Sequence, residues 1–204
     1  KAFDTSVSHK DKATGEDVLV RDDPRVVDPA LKESAFLTNI FNRLARSCFY
    51  GAANVCDGCL PTAAAHPEVI DECRAAALAF ERCAHAFDAH GALAVAEDFG
   101  RAANKRWDDA SKASKNDDEA YAQALSDAFA ELRTLTLLMH PAAPFGCEKI
   151  CECLRIPEAT FFSWDHVFET PAQMVEAVGE KPEEHELATL PPRFDFFEKL
   201  SGQK

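Results

Sequence analysis

The chain has 204 residues, 47% of them hydrophobic, so it can bury a sizeable core in one large domain or a small domain with appendages. Its 22 basic and 35 acidic residues give a formal net charge of −13, which excludes a protein that grips nucleic acid by bulk charge; any such contact must be local or lean on a partner domain. No apolar run approaches the roughly 18 residues of a membrane span, and the polar opening Lys1 to Lys10 lacks the apolar centre of a signal peptide.

These features lead us to expect a cytoplasmic protein with no membrane partner, its eight cysteines reduced. Lys1 stands where an initiator Met is absent, which suits a piece of a longer protein.

In chain order, residues 1–30 mix charge, Pro and Gly and read as an extended arm or linker, with one short strand at Val18–Val20. Residues 31–204 read as a helical domain with a C-terminal tail. The first helix starts near Pro29–Ser34 and carries FLTNIFNRLARSCFY, Phe36 to Tyr50, until Gly51 stops it. Within it Leu37, Phe41, Leu44 and Cys48 make an apolar seam. Asn39, Arg43, Arg46 and Tyr50 recur at the same spacing a short rotation away. An amide and a guanidinium one turn apart can grip base edges and phosphates together. The plainer reading of this stripe is a solvated face.

A loop with turn chemistry at Asp57-Gly58 and Pro61 leads to a second helix, Pro67 to Ala89, with Pro67 near its first position. After a break at Asp88–Gly91, a third helix fits Ala92 to Trp107 or slightly beyond. The polar DDASKASKN, Asp108–Asn116, then reads as a turn or frayed end. Asp117 or Asp118 caps a fourth helix running through Met139, ended by His140-Pro141. A short fifth helix spans Phe145 to Leu154. FFSWDHVF is a loop with aromatic anchors, and the Pro-broken tail is expected to pack back on the bundle. Four long helices with short connections predict an antiparallel bundle.

No GxGxxG, GxxxxGK[ST], GxSxG or HExxH is present, so the usual nucleotide-binding, hydrolase and zinc-protease signatures are missing. Cys56-Asp57-Gly58-Cys59 is a CxxC, and zinc could join it to Cys147, Cys151 and Cys153. On a helix, however, Cys147 and Cys151 share a face that Cys153 leaves. Structural thiols are the expectation, and no metal site is assigned. His140 suits a capping or packing role, and His166 beside Asp165 a structural loop. Trp107, flanked by Lys105 and Arg106, offers an aromatic platform for an unpaired base if it is exposed; core packing is the alternative.

Met139 to Leu154, MHPAAPFGCEKICECL, resembles the "HP-APFGCEKI" signature in the C-terminal helical domain of methionyl-tRNA synthetases. Asn39-Ile-Phe-Asn-Arg43 resembles that family's "GN-VNR". Asp57-Gly58-Cys59-Leu60-Pro61 resembles its "DGKVP", and Ala103-Asn104-Lys105 its "AN-Y". Phe162 to His166 and Leu190 to Phe194 resemble its closing segments, so the likeness runs in order over residues 24–200.

The resemblance implies an all-α fold, an antiparallel helix bundle of the class I aminoacyl-tRNA synthetase anticodon-binding type. It also implies a role in translation, reading the CAU anticodon of methionine tRNA, with no DNA partner. ATP and methionine would be handled by a Rossmann-type catalytic domain bearing HIGH-like and KMSKS-like motifs. Neither motif occurs here, so the chain has no visible catalytic residues and no cofactor of its own.

The family's anticodon readers map onto Asn39 and Arg43; Arg46, Lys105 and Trp107 are further candidates for tRNA contact. The family's stacking Trp lies nine residues past the "AN" asparagine, which here is Ala113. Either Trp107 or Tyr50 substitutes, or the segment is realigned, or anticodon reading is weakened or lost. The competing reading is a helical interaction or assembly module that no longer reads the anticodon.

Overall fold

Helix-favouring, Ala-rich segments organise the computed structural model, which describes residues 7–11, 13–20 and 34–198. Two short strands come first: β1 (Val7–Lys10) pairs antiparallel with β2 (Asp17–Val20) in a hairpin, Val7 opposite Val20 and Lys10 opposite Asp17. The Asp11 carboxylate accepts from the Ala13 and Thr14 amides at 2.6 and 3.2 Å and so fixes the connection. The expected strand at Val18–Val20 is therefore one arm of a hairpin. The expected helix start near Pro29–Ser34 falls largely outside the described residues.

The rest is an all-α bundle. A π-helical turn, Phe36–Phe41, leads into α1 (Asn42–Val55), α2 (Pro67–His85), α3 (Ala89–Ala113), α4 (Asp118–Met139) and α5 (Pro144–Leu154). Two short helices follow, α6 (Glu158–Phe161) and α7 (Pro171–Ala177). Among the described residues, no helix is long and apolar enough to cross a membrane.

The central helix is α4. Asp117 caps it, accepting from the Ala120 amide at 3.0 Å. From Ala124 to Met139 every residue but Asp127 is buried, because α1, α2, α3 and α5 all pack against it. Leu132, Leu135, Leu137 and Leu138 supply its apolar packing, and the buried Thr136 hydroxyl is satisfied by donating to Leu132 O at 2.6 Å.

Three boundaries differ from the sequence expectation. Gly51 does not stop the first helix; α1 runs through it to Val55. The glycine serves a close approach instead: a Cβ there would meet Leu125 Cδ2 at 2.7 Å. The second helix ends at His85, and Phe87 turns the chain with a left-handed φ of 56° before Asp88 caps α3.

Nor is the whole of Asp108–Asn116 a turn or frayed end: α3 continues to Ala113, and only Ser114–Asn116 form the turn. Ala103, Trp107, Ala110 and Ser114 recur along one helical face and are buried or half-buried, so the polar run is the outer half of an amphipathic helix. The Ser114 hydroxyl donates to Ala110 O at 2.8 Å at its end.

Candidate functional site

The stripe of Asn39, Arg43, Arg46 and Tyr50 divides into two halves. Asn39 lies in the π-helical turn and is exposed, as is Arg43 one turn later. Single π-turns are frequent at functional sites. The Arg43 guanidinium reaches across to α3 and pairs with Asp108, which also pairs with Lys112. The Lys112 ammonium and then Arg43 hold the Asp108 carboxyl below its ordinary range.

Lys105, a predicted contact, is exposed on the face of α3 that also carries Arg101, Asp108 and Lys112. Arg101 pairs with Glu97 and lies 5.7 Å over the Phe36 ring, at the base of the π-turn. Thus Asn39 in the π-turn, Arg43 on α1 and Arg101, Lys105 and Lys112 on α3 form a cation-rich face on an acidic chain, in which Asp108 pairs with Arg43 and Lys112 and Glu97 with Arg101. Sequence reasoning missed Arg101 and Lys112. Their signal was the spacing 101, 105, 108, 112, hidden once residues 108–116 were read as a turn.

The other half is closed by the C-terminal tail. The Arg46 guanidinium donates to Asp195 Oδ1 at 3.0 Å, and the Tyr50 hydroxyl donates to Pro191 O at 2.8 Å. Between the halves stands Asn42, which sequence reasoning passed over and which is fully buried. Its Oδ1 accepts from the Phe196 and Phe197 amides, each at 3.0 Å, and its Nδ2 donates to Phe197 O at 2.8 Å. An Asn at an inward position of an amphipathic helix was the available signal: a buried amide needs partners, and the tail supplies them. The tail does pack back on the bundle, through Phe196 and Phe197.

Trp107 corrects an expectation. It is 5% exposed and packs edge-on against Tyr121 with centroids 5.5 Å apart, so it offers no platform to a base. Tyr50, the other substitute, has its hydroxyl engaged by the tail. Among the described residues, Ala113 ends α3 with no aromatic beside it in sequence.

Beneath the basic face lies a charged clamp. Arg106 donates through Nε to Glu131 Oε1 at 2.7 Å and pairs with Glu72, joining α2, α3 and α4. Burial pushes the Glu131 carboxyl up to about 7, against the pull of Arg106. Arg133 is also fully buried. It donates to His166 O at 3.1 Å and lies 5.1 Å over Phe161, while its Nε and Nη1 lack partners among the described residues. Desolvation lowers its guanidinium to about 10.

His140 stacks on Phe162 at 3.9 Å and contacts Glu148, in keeping with a packing role. His166 faces Glu169 at 3.0 Å rather than its neighbour Asp165. All eight cysteines are free thiols, and among the described residues no cluster of three or more metal-ligating side chains forms. No protein-family model matches the chain, and no curated protein matches it.

Proposed function

We propose that the chain is the tRNA anticodon-binding domain of a methionine–tRNA ligase. Activation of methionine with ATP and its esterification to the tRNA would belong to a Rossmann-type catalytic domain outside this sequence.

The observation that carries the reading is the exposed pair Asn39 and Arg43, one turn apart beside the cations of α3. Sequence-specific RNA recognition targets unstacked loop bases by edge hydrogen bonds. The Asn39 amide has both donor and acceptor for a base edge, and Arg43 a forked donor for a base or phosphate. Lys105 and Lys112 contact the backbone. Arg46 is half-buried and held under the tail by Asp195, so it has a smaller part than Arg43, whose exposed guanidinium would exchange Asp108 for a base or phosphate.

The Arg43–Asp108 pair ties α3, which also carries Ala103-Asn104-Lys105, to the first helix. The test is equilibrium binding of methionine tRNA against the same tRNA with an altered anticodon. Tighter binding of the unaltered tRNA is expected; equal or undetectable binding contradicts the proposal.

One observation favours an interaction module instead. Phe87, 97% exposed in a left-handed conformation, borders an apolar hollow of about 440 Å³ lined by Phe80, Leu93 and Leu138. Exposed apolar surface of that kind marks protein contacts. The same titration separates the two readings, because an assembly module gains nothing from the correct anticodon.

A further inference from the structure

The first helix ends in a tight turn with a cysteine at each end. The Cys56 and Gly58 amides both donate to Ala52 O, at 2.9 and 3.0 Å, and the Cys59 amide donates to Cys56 O at 2.8 Å. Inside that last bond, Asp57 and Gly58 have φ of 51° and 78°. Two left-handed central residues within such a bond give a type I′ turn, for which Asp-Gly is a preferred pair. The turn holds the Cys56 and Cys59 Cα atoms closer than about 7 Å, and a disulfide spans roughly 4.4–6.8 Å.

The surroundings differ from those of the three deepest thiols; Cys83 and Cys153 are half-buried as Cys56 is. Cys48, Cys147 and Cys151 are sealed in the core, whereas Cys56 is half-buried and Cys59 lies at the edge of burial, 9% exposed. Burial raises the Cys56 thiol first, and Cys59 and Asp57 beside it raise it further.

We propose that Cys56 and Cys59 form an oxidisable dithiol site that closes to an intrachain disulfide by exchange with a small-molecule disulfide of the glutathione type. Cys56, the more accessible, loses its proton to solvent. Its thiolate attacks one sulfur of the oxidised glutathione and releases a glutathione thiolate, which takes up a proton. Cys59, deprotonated in turn, attacks the Cys56 sulfur of the mixed disulfide and expels the second glutathione. The dithiol is oxidised by two electrons and one glutathione disulfide is reduced to two thiols.

Both protein thiols are raised, chiefly by burial, so the exchange is slow at neutral pH and accelerates as pH rises. The consequence reaches the tail. Gly58 O accepts from the Leu187 amide at 2.8 Å, and Cys59 bridges Glu186, so the cross-link stiffens the seam from which the tail runs on to Asn42.

The test uses the unaltered chain, equilibrated in glutathione buffers from reducing to oxidising, quenched in acid, unfolded, alkylated and mapped by peptide mass. Cys56 and Cys59 are expected to leave the alkylated pool together, giving a peptide two hydrogens lighter, while Cys48, Cys147 and Cys151 alkylate throughout. Cys59→Ser is expected to trap glutathione on Cys56. The proposal is overturned if both thiols alkylate fully at every ratio, if Cys56 or Cys59 bonds to Cys153 instead, or if a chelator is needed before they react, which marks a held metal.

Discussion

The two halves of the first helix's polar stripe each carry one ion-paired guanidinium, but they differ in what covers them. Asn39 and Arg43 stay at the surface beside the cations of α3, whereas Arg46 and Tyr50 are taken up by the tail. Asn42, between them, is the pin that divides the stripe. Its amide satisfies two buried tail amides and one carbonyl, and so decides which polar groups remain open to a ligand.

The comparison is broken most severely at that pin. Asn42→Ala strands the amides of Phe196 and Phe197 in a buried site, at a cost of about 2–4 kcal/mol. Chemical denaturation should show that loss, and limited proteolysis should cut the tail first. If stability is unchanged, the tail is not held as described. By contrast, Asn39→Ala and Arg43→Ala should leave stability within about 0.5 kcal/mol, as surface changes do.

The charged clamp behind the basic face gives a pH signature. Glu131 has its carboxyl raised to about 7 in the folded chain, above its ordinary value. A raised carboxyl favours folding at low pH, and that contribution is lost as pH rises through the folded value. Glu131→Gln, which can still accept from Arg106, should remove a loss on the order of 1–3 kcal/mol between about pH 5 and 8. Parallel wild-type and variant stability curves across that range would contradict the assignment. Tyr50→Phe deletes the hydrogen bond donated to Pro191 O and the one accepted from the Phe194 amide, and should cost about 1–2 kcal/mol, read by denaturation.

The helices were legible where periodicity carried a core face. Leu44 and Cys48 lie in the seam the pattern drew, and Asp117 caps where a capping residue was expected. The failures share one physical cause, that residue type was read without its partner. Gly51 looks like a stop until Leu125 is set against it. DDASKASK looks like a turn until the buried Trp107 shows that its inner face continues the core. Trp107 beside cations offers both a platform and a packing reading, and the packing reading holds: it lies against Tyr121 while Lys105 is exposed and Arg106 turns to Glu131. The site was half legible: the stripe was found by spacing, but the tail that covers its second half lies about 150 residues further on, beyond any local pattern.

The most direct test of the proposed role measures two reactions of the proposed parent ligase carrying Asn39→Ala or Arg43→Ala. Charging of methionine tRNA should fall by roughly tenfold or more, the scale of a lost base-edge contact. Methionine-dependent ATP–pyrophosphate exchange, which needs no tRNA, should stay at the wild-type rate. If both variants charge tRNA as well as the wild type does, the exposed half of the stripe does not read the anticodon.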